Sequence, residues 1–154
     1  MKLLIYMPAL NEEKGLGGVI KDLPKKIEGI DEIKTLVVDD GSTDRTVEIA
    51  RENGADVISH GTNKGVGSAF HSAVEYALDN RVDILVSIDA DRQFNSKQIP
   101  DIIQPILKNE ADMVTGDRFH SGIPENMSKT KYWGNKQMST FNIVTGKQIG
   151  RAHV

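Results

Sequence analysis

The chain has 154 residues, of which 38% are hydrophobic and 27% are charged, a composition typical of a globular protein with a single domain-sized core. Its net charge of −3 gives no electrostatic reason to expect nucleic acid or an anionic membrane surface as a partner. Because the chain has no cysteine, disulfides, thiolate catalysis and zinc–thiolate sites are excluded, which fits a reducing cytoplasm.

Apolar residues recur along the chain with the spacing of alternating strands and helices. In chain order, the pattern predicts a strand at 3–7, a helix at 17–27, a strand at 33–39, a helix from the turn at 41–44 to 53–54, a strand at 56–59, a helix at 65–80, a strand at 84–89, a helix at 96–108, a strand at 113–115 and a last helical stretch at 135–145. Ser96 is the expected cap of the helix at 96–108, and Pro24 interrupts the first helix. This alternation predicts an α/β fold with a mostly parallel sheet flanked by helices.

Polar segments follow all five predicted strands. Right-handed crossovers place the carboxyl ends of parallel strands along one edge of the sheet, which is where open α/β sheets bind ligands. The segments at that edge are 8–13, 39–42, 60–67, 89–91 and 116–119. We therefore expect the functional residues to lie in these five segments.

Asp89 and Asp91 are the strongest candidates for a metal site. On extended backbone, residues two apart face the same side, so both carboxylates can aim at one point beyond the strand. Such a pair repels unless a cation or a donor compensates it, and a hard cation such as Mg²⁺ or Mn²⁺ shares oxygen ligands with substrate phosphates. The alternative is that both residues serve the turn, because Asp is common where strands end.

The other polar candidates each have a structural alternative. Asp39 and Asp40 are adjacent and point to opposite faces, so one can accept hydrogen bonds from a nucleobase or ribose while the other bonds the turn. Glu12 can bond ribose or base, or serve as an acid in the first turn of a helix. Gly65 is expected to relieve crowding in a loop near the ligand. Arg118 can clamp a phosphate or pair with a neighbouring acid.

Five segments carry a family resemblance in their combination. They are PALNEE at 8–13, VVDDGSTD at 37–44, NKGVG at 63–67, DADRQ at 89–93 and GDRF at 116–119. In order and spacing they resemble family 2 glycosyltransferases, and in particular the branch of dolichyl-phosphate mannose synthase and other polyprenyl-phosphate glycosyltransferases. The resemblance extends to about residue 147. It implies a Rossmann-like nucleotide-diphospho-sugar transferase fold, called GT-A.

The resemblance also implies roles for individual residues. Asp91 and Gln93 match metal-site positions, and Arg118 matches a position that contacts the donor diphosphate or the acceptor phosphate. The implied catalytic residues are Asp91 and Arg118. The implied nucleotide-binding residues are Pro8, Ala9, Glu12, Val37, Asp39, Asp40, Asn63, Gly65, Asp89 and Ala90. The implied reaction is an inverting transfer of a hexose from a UDP- or GDP-sugar to an acceptor such as a polyprenyl phosphate, assisted by Mg²⁺ or Mn²⁺. This reaction would serve cell-wall or glycan biosynthesis in the cytoplasm, including the cytoplasmic face of a membrane.

Three positions depart from the family pattern. Leu10 stands where an aromatic residue usually lies beside the base, Arg92 stands where glycine is usual, and Asp117 stands where a small residue is usual. The family's acceptor-side segment is expected beyond the end of this chain. Residues 149–154 resemble translated adapter sequence, so we expect residues 1–148 to form a partial nucleotide-sugar-binding domain with a non-native tail.

Two other functions remain open at this point. A truncated fragment of such an enzyme could bind nucleotide without catalysis. A nucleotidyltransferase would also use a nucleotide, a metal and an α/β sheet, but such enzymes need a glycine-rich basic loop after the first strand, and residues 8–12 do not form one.

Overall fold

The protein is built from strands and helices that alternate along the chain. The computed structural model describes residues 1–91, residues 95–116 and the backbone of residues 143–145. Its strands are β1 (Lys2–Ala9), β2 (Glu32–Asp39), β3 (Asp56–Ser59), β4 (Ile84–Ser87), β5 (Met113–Val114) and β6 (Ile143–Thr145). Its helices are α1 (Leu16–Asp22), α2 (Thr46–Glu52), α3 (Val66–Asp79), α4 (Ile99–Ile102) and α5 (Gln104–Leu107), with a 3₁₀ turn at Ser96–Gln98.

The strands that the structure describes form one sheet, in the spatial order β3-β2-β1-β4-β6-β5. β1 pairs in parallel with β2 and β4, and β3 pairs in parallel with β2. β6 is antiparallel to both β4 and β5, so β5 runs in the same direction as β1. The predicted mostly parallel sheet is confirmed. The strand order reverses at β1, and a crevice at such a reversal is where open α/β sheets bind ligands.

A hydrophobic core lies on each face of the sheet. On β1, Ile5 belongs to the core that includes α1, α2, α4 and α5, whereas Tyr6 belongs to the core under α3. This alternation follows from the two-residue period of a pleated strand. The buried residues of α3 are the alanines Ala69, Ala73 and Ala77. Their small side chains let α3 lie close to the sheet and leave room for the Tyr6 ring.

The first helix is shorter than the apolar pattern predicted. α1 ends at Asp22 instead of residue 27. Leu23 precedes Pro24 and has an extended backbone, with ψ of 143°, because a following proline disfavours the helical conformation.

Within the described part of the chain, none of the helices combines the length and the apolar character that crossing a bilayer requires.

The helix predicted at 96–108 is divided into the 3₁₀ turn, α4 and α5. Both α4 and α5 carry a proline in their first two positions, where its missing N–H is tolerated. The predicted cap at Ser96 was wrong. Asn95 Oδ1 accepts a hydrogen bond from Lys97 N at 3.2 Å, and Ser96 Oγ instead donates to the Asp22 carbonyl oxygen at 2.8 Å.

The helical stretch predicted at 135–145 was wrong for its last three residues, which form strand β6. This strand lies between β4 and β5, with residue 143 opposite Val86. Its sequence, Ile-Val-Thr, consists of β-branched residues, which favour strands because their χ1 freedom is restricted in helices. Residues 135–142 lie outside the described part of the chain.

The loops after β1 and β2 are joined by hydrogen bonds between side chains and backbone. Asn11 Oδ1 accepts a bond from Thr43 N, and Ser42 Oγ accepts one from Asn11 N, each at 2.9 Å. Thr46 Oγ1 accepts a bond from Glu12 N at 2.8 Å. Asn11 has a left-handed backbone, with φ of 56°, which asparagine tolerates better than most residues. These bonds fix both loops at the carboxyl edge of the sheet.

Gly41, directly after β2, lies against the loop that follows β3. Its φ is 90°, and a Cβ atom there would lie 2.6 Å from the carbonyl carbon of Thr62 and 2.8 Å from Asn63 N. Both neighbours are backbone atoms, which cannot move aside as the end of a flexible side chain could. Only glycine therefore fits at this position.

We expect Gly41→Ala to lower the free energy of unfolding by at least about 2 kcal/mol, since it adds a steric clash to an unfavourable backbone conformation. Gly54→Ala is the matched control, because Gly54 has φ of 81° and open space around its Cβ position. Its cost should be only that of the left-handed backbone, about 1 kcal/mol. Urea unfolding followed by circular dichroism measures both, and equal losses would contradict the steric contact.

We expect Asn11→Gly to lower the free energy of unfolding by about 1–2 kcal/mol, because it removes the side-chain acceptor but keeps the left-handed backbone accessible. Arg81→Gly is the control, since Arg81 also has a positive φ, of 53°. That substitution should be neutral or stabilising. If Asn11→Gly were also neutral in urea unfolding, the bonds between the two loops would contribute nothing to stability.

Candidate functional site

The loops that follow β1 to β4 meet at the carboxyl edge of the sheet. A Cβ atom on Gly15 would lie 3.3 Å from the carbonyl oxygen of Ala90 and 3.8 Å from Glu12 Oε2, so the loop after β1 contacts the segment after β4. Gly41 likewise joins the loop after β2 to the loop after β3. Four of the five predicted polar segments are therefore neighbours. The fifth, 116–119, lies outside the described residues except for Gly116.

The Asp89-Ala90-Asp91 segment follows β4 directly at this edge. Both aspartates are exposed, whereas Ala90 between them is buried in the core beside α1. The Ile88 N–H donates to the Tyr6 carbonyl oxygen at 3.0 Å, which extends the pairing with β1 up to the motif. Buried residues on either side of Asp89 thus anchor the segment while its carboxylates face outward.

Glu12 brings a third carboxylate to this edge from the loop after β1. Its side chain is partly buried, and burial together with the negative charges of Asp91 and Asp44 raises its pKa above the usual range. Glu12 Oε2 and the Ala90 carbonyl oxygen lie 3.8 and 3.3 Å from the position of a Cβ on Gly15, so the Glu12 side chain lies next to the Asp89-Ala90-Asp91 segment. Positive charge placed between them would favour ionised Glu12.

Asp39, at the end of β2, is buried and bonded to its own turn and to β3. Its carboxylate accepts hydrogen bonds from Ser42 N at 2.9 Å and from Ser59 Oγ at 2.6 Å. Burial opposes the ionisation of Asp39, but these bonds outweigh it and hold the pKa below its usual range. Asp39 is therefore an anion that the protein itself stabilises.

Asp40 binds the loop that precedes α3. Its carboxylate accepts hydrogen bonds from Lys64 N at 2.9 Å and Gly65 N at 2.8 Å, and it bonds His60 Nδ1 at 2.9 Å. The Lys64 N–H and the His60 side chain are the main causes that lower the Asp40 pKa. The sequence predicted that one of the two aspartates would bond a turn and the other could reach a ligand. In the structure the Asp39 carboxylate binds its own turn and β3, and the Asp40 carboxylate binds the loop before α3.

The remaining predicted nucleotide-binding residues occupy different environments. Pro8 is half-buried near the end of β1, and Ala9 and Val37 are buried in the core on the α1 side. Asn63 is exposed in the loop before α3 and its Oδ1 accepts a bond from Gly65 N at 3.1 Å. The structure thus brings Asn63 to the edge of the sheet and encloses the Val37 side chain.

The role predicted for Gly65 was wrong. A Cβ atom on Gly65 would meet nothing within 4 Å, so this glycine does not relieve crowding. Its φ of 88° explains the residue instead, because that backbone conformation is unfavourable for L-residues with side chains. The crowded glycine at this edge is Gly41.

Sequence reasoning missed three buried or half-buried polar side chains next to these loops. His60 Nε2 lies 2.9 Å from Ser72 Oγ on α3 while its Nδ1 bonds Asp40, so it links a loop to a helix. Within the described residues, the Tyr6 hydroxyl is buried without a hydrogen-bond partner, and burial and the charges of Asp40 and Asp89 raise its pKa. Asp40 and His60 are 20 residues apart, so no local pattern reveals the pair.

A complete metal site is not visible in the described residues. No group of three or more His, Asp or Glu side chains there is arranged to hold a metal ion by itself. The carboxylate oxygens of Asp91 and Glu12 are donors that suit a hard divalent cation, which commonly takes only one or two carboxylates and completes its shell with phosphate and water. Gln93, Arg92, Asp117 and Arg118 lie outside the described part of the chain.

Comparisons with known proteins agree on one family. Residues 4–151 match the model described as glycosyl transferase family 2. The chain is 34% identical over 163 aligned positions to the UDP-N-acetylglucosamine–dolichyl-phosphate N-acetylglucosaminyltransferase of Methanococcus voltae, with 93% of this chain and 63% of that protein covered. It is 35% identical to a low-salt glycan biosynthesis hexosyltransferase of Haloferax volcanii, with 98% of this chain and 36% of that protein covered.

A solved structure supports the same fold. Glucosyl-3-phosphoglycerate synthase from Mycobacterium tuberculosis, in complex with Mn²⁺, UDP-glucose and phosphoglyceric acid, superposes with a TM-score of 0.68 at 25% identity. The match covers 94% of this chain and 56% of that one, so the chain spans roughly a third to two thirds of the length of the proteins it resembles. The expected GT-A fold is thereby confirmed. With the match to the family model over nearly its whole length, this chain belongs to glycosyltransferase family 2.

Proposed function

We propose that this chain is the donor-binding part of an inverting hexosyltransferase that uses a UDP- or GDP-hexose. The observation that carries the proposal is the exposed Asp89-Ala90-Asp91 segment, which lies beside Glu12 where the strand order reverses. Support comes from two of the proteins it resembles, since the Methanococcus voltae enzyme is named for UDP-N-acetylglucosamine and the mycobacterial structure holds UDP-glucose with Mn²⁺.

In the proposed reaction, an acceptor oxygen attacks the anomeric carbon of the donor. The bond from that carbon to the β-phosphate oxygen breaks, and its electron pair leaves with the nucleoside diphosphate. An ionised phosphate acceptor has no proton to lose at the attacking oxygen, so a lipid phosphate would need no general base at this step. The acceptor we propose is a polyprenyl phosphate at the cytoplasmic face of a membrane, supported by the dolichyl phosphate in the name of the Methanococcus voltae enzyme.

The residues of this chain would bind and orient the donor. Asp91 and Gln93 would hold a divalent cation, Mg²⁺ or Mn²⁺, which when bound supplies positive charge to the diphosphate. Arg118 would contact the donor diphosphate or the acceptor phosphate through its guanidinium group. Asp39 and Glu12 would lie beside the nucleoside, where carboxylates accept hydrogen bonds from base N–H groups and ribose hydroxyls.

We expect UDP or GDP to bind at least about tenfold more tightly when Mn²⁺ is present, because uncompensated phosphate and carboxylate charges would otherwise repel. Asp91→Asn should abolish most of that gain while the fold remains intact. Asp79→Asn is the control, since Asp79 is exposed at the end of α3, away from this edge. Isothermal titration calorimetry with and without Mn²⁺ gives the values. Equal affinity of wild type and Asp91→Asn with the metal present would count against the site.

We also expect transfer of a radiolabelled hexose from its UDP or GDP derivative to dolichyl phosphate, measured as label extracted into organic solvent. The assay should compare this chain with a longer form that spans the whole length of its relatives. Transfer by the longer form alone, with nucleotide binding by both, would identify this chain as a binding module. Failure of both forms to bind either nucleotide would refute the proposed function.

A further inference from the structure

Three polar side chains form a hydrogen-bonded chain between the sheet edge and α3. Asp40 follows β2, His60 follows β3 and Ser72 lies in the middle of α3. His60 Nδ1 is 2.9 Å from Asp40 Oδ1, and His60 Nε2 is 2.9 Å from Ser72 Oγ. The side chains of His60 and Asp40 are only 6% and 9% exposed. These hydrogen-bonded side chains therefore lie largely inside the protein, beneath the loop that precedes α3.

Asp40, His60 and Ser72 are bonded in the order of a Ser-His-Asp hydrolase triad, but the environment of Ser72 does not support hydrolysis. Nucleophilic catalysis by serine needs backbone N–H donors positioned for the oxyanion. Ser72 lies six residues inside α3, where backbone N–H groups are already committed to helical hydrogen bonds. The reason for this Asp40–His60–Ser72 arrangement must therefore be sought in the other hydrogen bonds of Asp40.

Asp40 determines the path of the loop at 61–65. Besides His60, it binds the N–H groups of both Lys64 and Gly65, the last two residues before α3. Gly65 then turns the backbone with φ of 88° into the first turn of the helix. The Asp40 carboxylate thus fixes the position of the loop and of the start of α3 relative to the end of β2.

The loop held by Asp40 lies at the carboxyl edge of the sheet, where the proposed donor nucleotide would bind. It packs against the loop after β2 at Gly41, on the same edge as Asp89 and Asp91. α3, whose 14 residues begin at Val66, has no side-chain cap of its own, and Asp40 holds the N–H of Gly65 directly before its first residue.

We propose that Asp40 is a positioning residue, held in place by His60, which sets the loop at 61–65 and the start of α3 for the donor nucleotide. This inference rests on the proposed function. It gives Asp40 a role distinct from direct contact with the nucleotide. It also explains why an enclosed histidine at this edge bonds Asp40 and Ser72.

Substitutions at His60 separate its two hydrogen bonds. His60→Asn keeps a side-chain donor near the position of Nδ1 and can still bond Asp40, but it does not reach Ser72. His60→Gln places its amide near the position of Nε2 and can bond Ser72 instead. We expect Asp40→Ala and His60→Gln each to weaken UDP binding in the presence of Mn²⁺ by about tenfold, and His60→Asn to restore most of the affinity.

Two measurements distinguish positioning from general loss of stability. Amide hydrogen exchange at Lys64 and Gly65, without ligand, should accelerate in Asp40→Ala and His60→Gln but remain slow in His60→Asn. Ile103→Val is the control, since Ile103 is buried in the core on the opposite face of the sheet. Compared with the others at a temperature where all variants are folded, it should keep wild-type affinity for UDP.

Each outcome decides between the two proposals. Unchanged UDP affinity in Asp40→Ala, with wild-type binding intact, would overturn this inference and leave the proposed function standing. Unchanged exchange at Lys64 and Gly65 would overturn it as well. If wild-type protein bound neither UDP nor GDP with Mn²⁺, the proposed function would fail together with the ligand role given to the loop. Affinity retained in His60→Gln but lost in His60→Asn would assign the effect to Ser72 and contradict the role of Asp40.

Discussion

The parallel pairing of β1 with β2 is the constraint on which the site depends. The two strands pair over eight residues, from Lys2 opposite Glu32 to Ala9 opposite Asp39, so both end at the same level. Their following loops therefore emerge side by side and can exchange the hydrogen bonds of Asn11. A shift of one residue would turn every side chain of β1 to the other face and would separate Ala9 from Asp39. The positions of Glu12 and Asp40 thus follow from this register.

The acids at the sheet edge fall into two electrostatic groups. Asp39, Asp40 and Asp44 accept hydrogen bonds from nearby backbone and side-chain donors, and their pKa values are lowered. Glu12 differs, because burial and the charge of Asp91 raise its pKa. A cation bound beside Glu12 would lower that pKa, so by linkage its binding would release protons wherever Glu12 is partly protonated. Asp39, Asp40 and Asp44 therefore stabilise the loops. A cation beside Glu12 would instead offset the repulsion between its carboxylate and that of Asp91.

The sequence predicted the features that depend on local pattern and missed those that depend on distant contacts. Strand 56–59 was predicted with its observed bounds, and the strand-end location of four of the five polar segments was confirmed, because periodicity and crossover handedness determine both. The helix at 135–145 was wrong at its end because apolar helical spacing outweighed the β-branched residues 143–145. Pairing of Asp40 with His60 could not be predicted, since it depends on β2 and β3 being neighbours in the sheet.

Leu10 stands where the resemblance to family 2 glycosyltransferases predicts an aromatic residue. Its side chain is 41% exposed in the loop after β1, next to the fixed backbone of Asn11. An aliphatic side chain there offers apolar contact but lacks the flat π-surface on which a base stacks. In the proposed donor site, affinity would therefore depend more strongly on charge at the diphosphate and on hydrogen bonds to the nucleoside. The organisation of the edge agrees with that requirement, because Asp40 fixes the start of α3 while Asp89 and Asp91 are held outward by the buried residues between and before them.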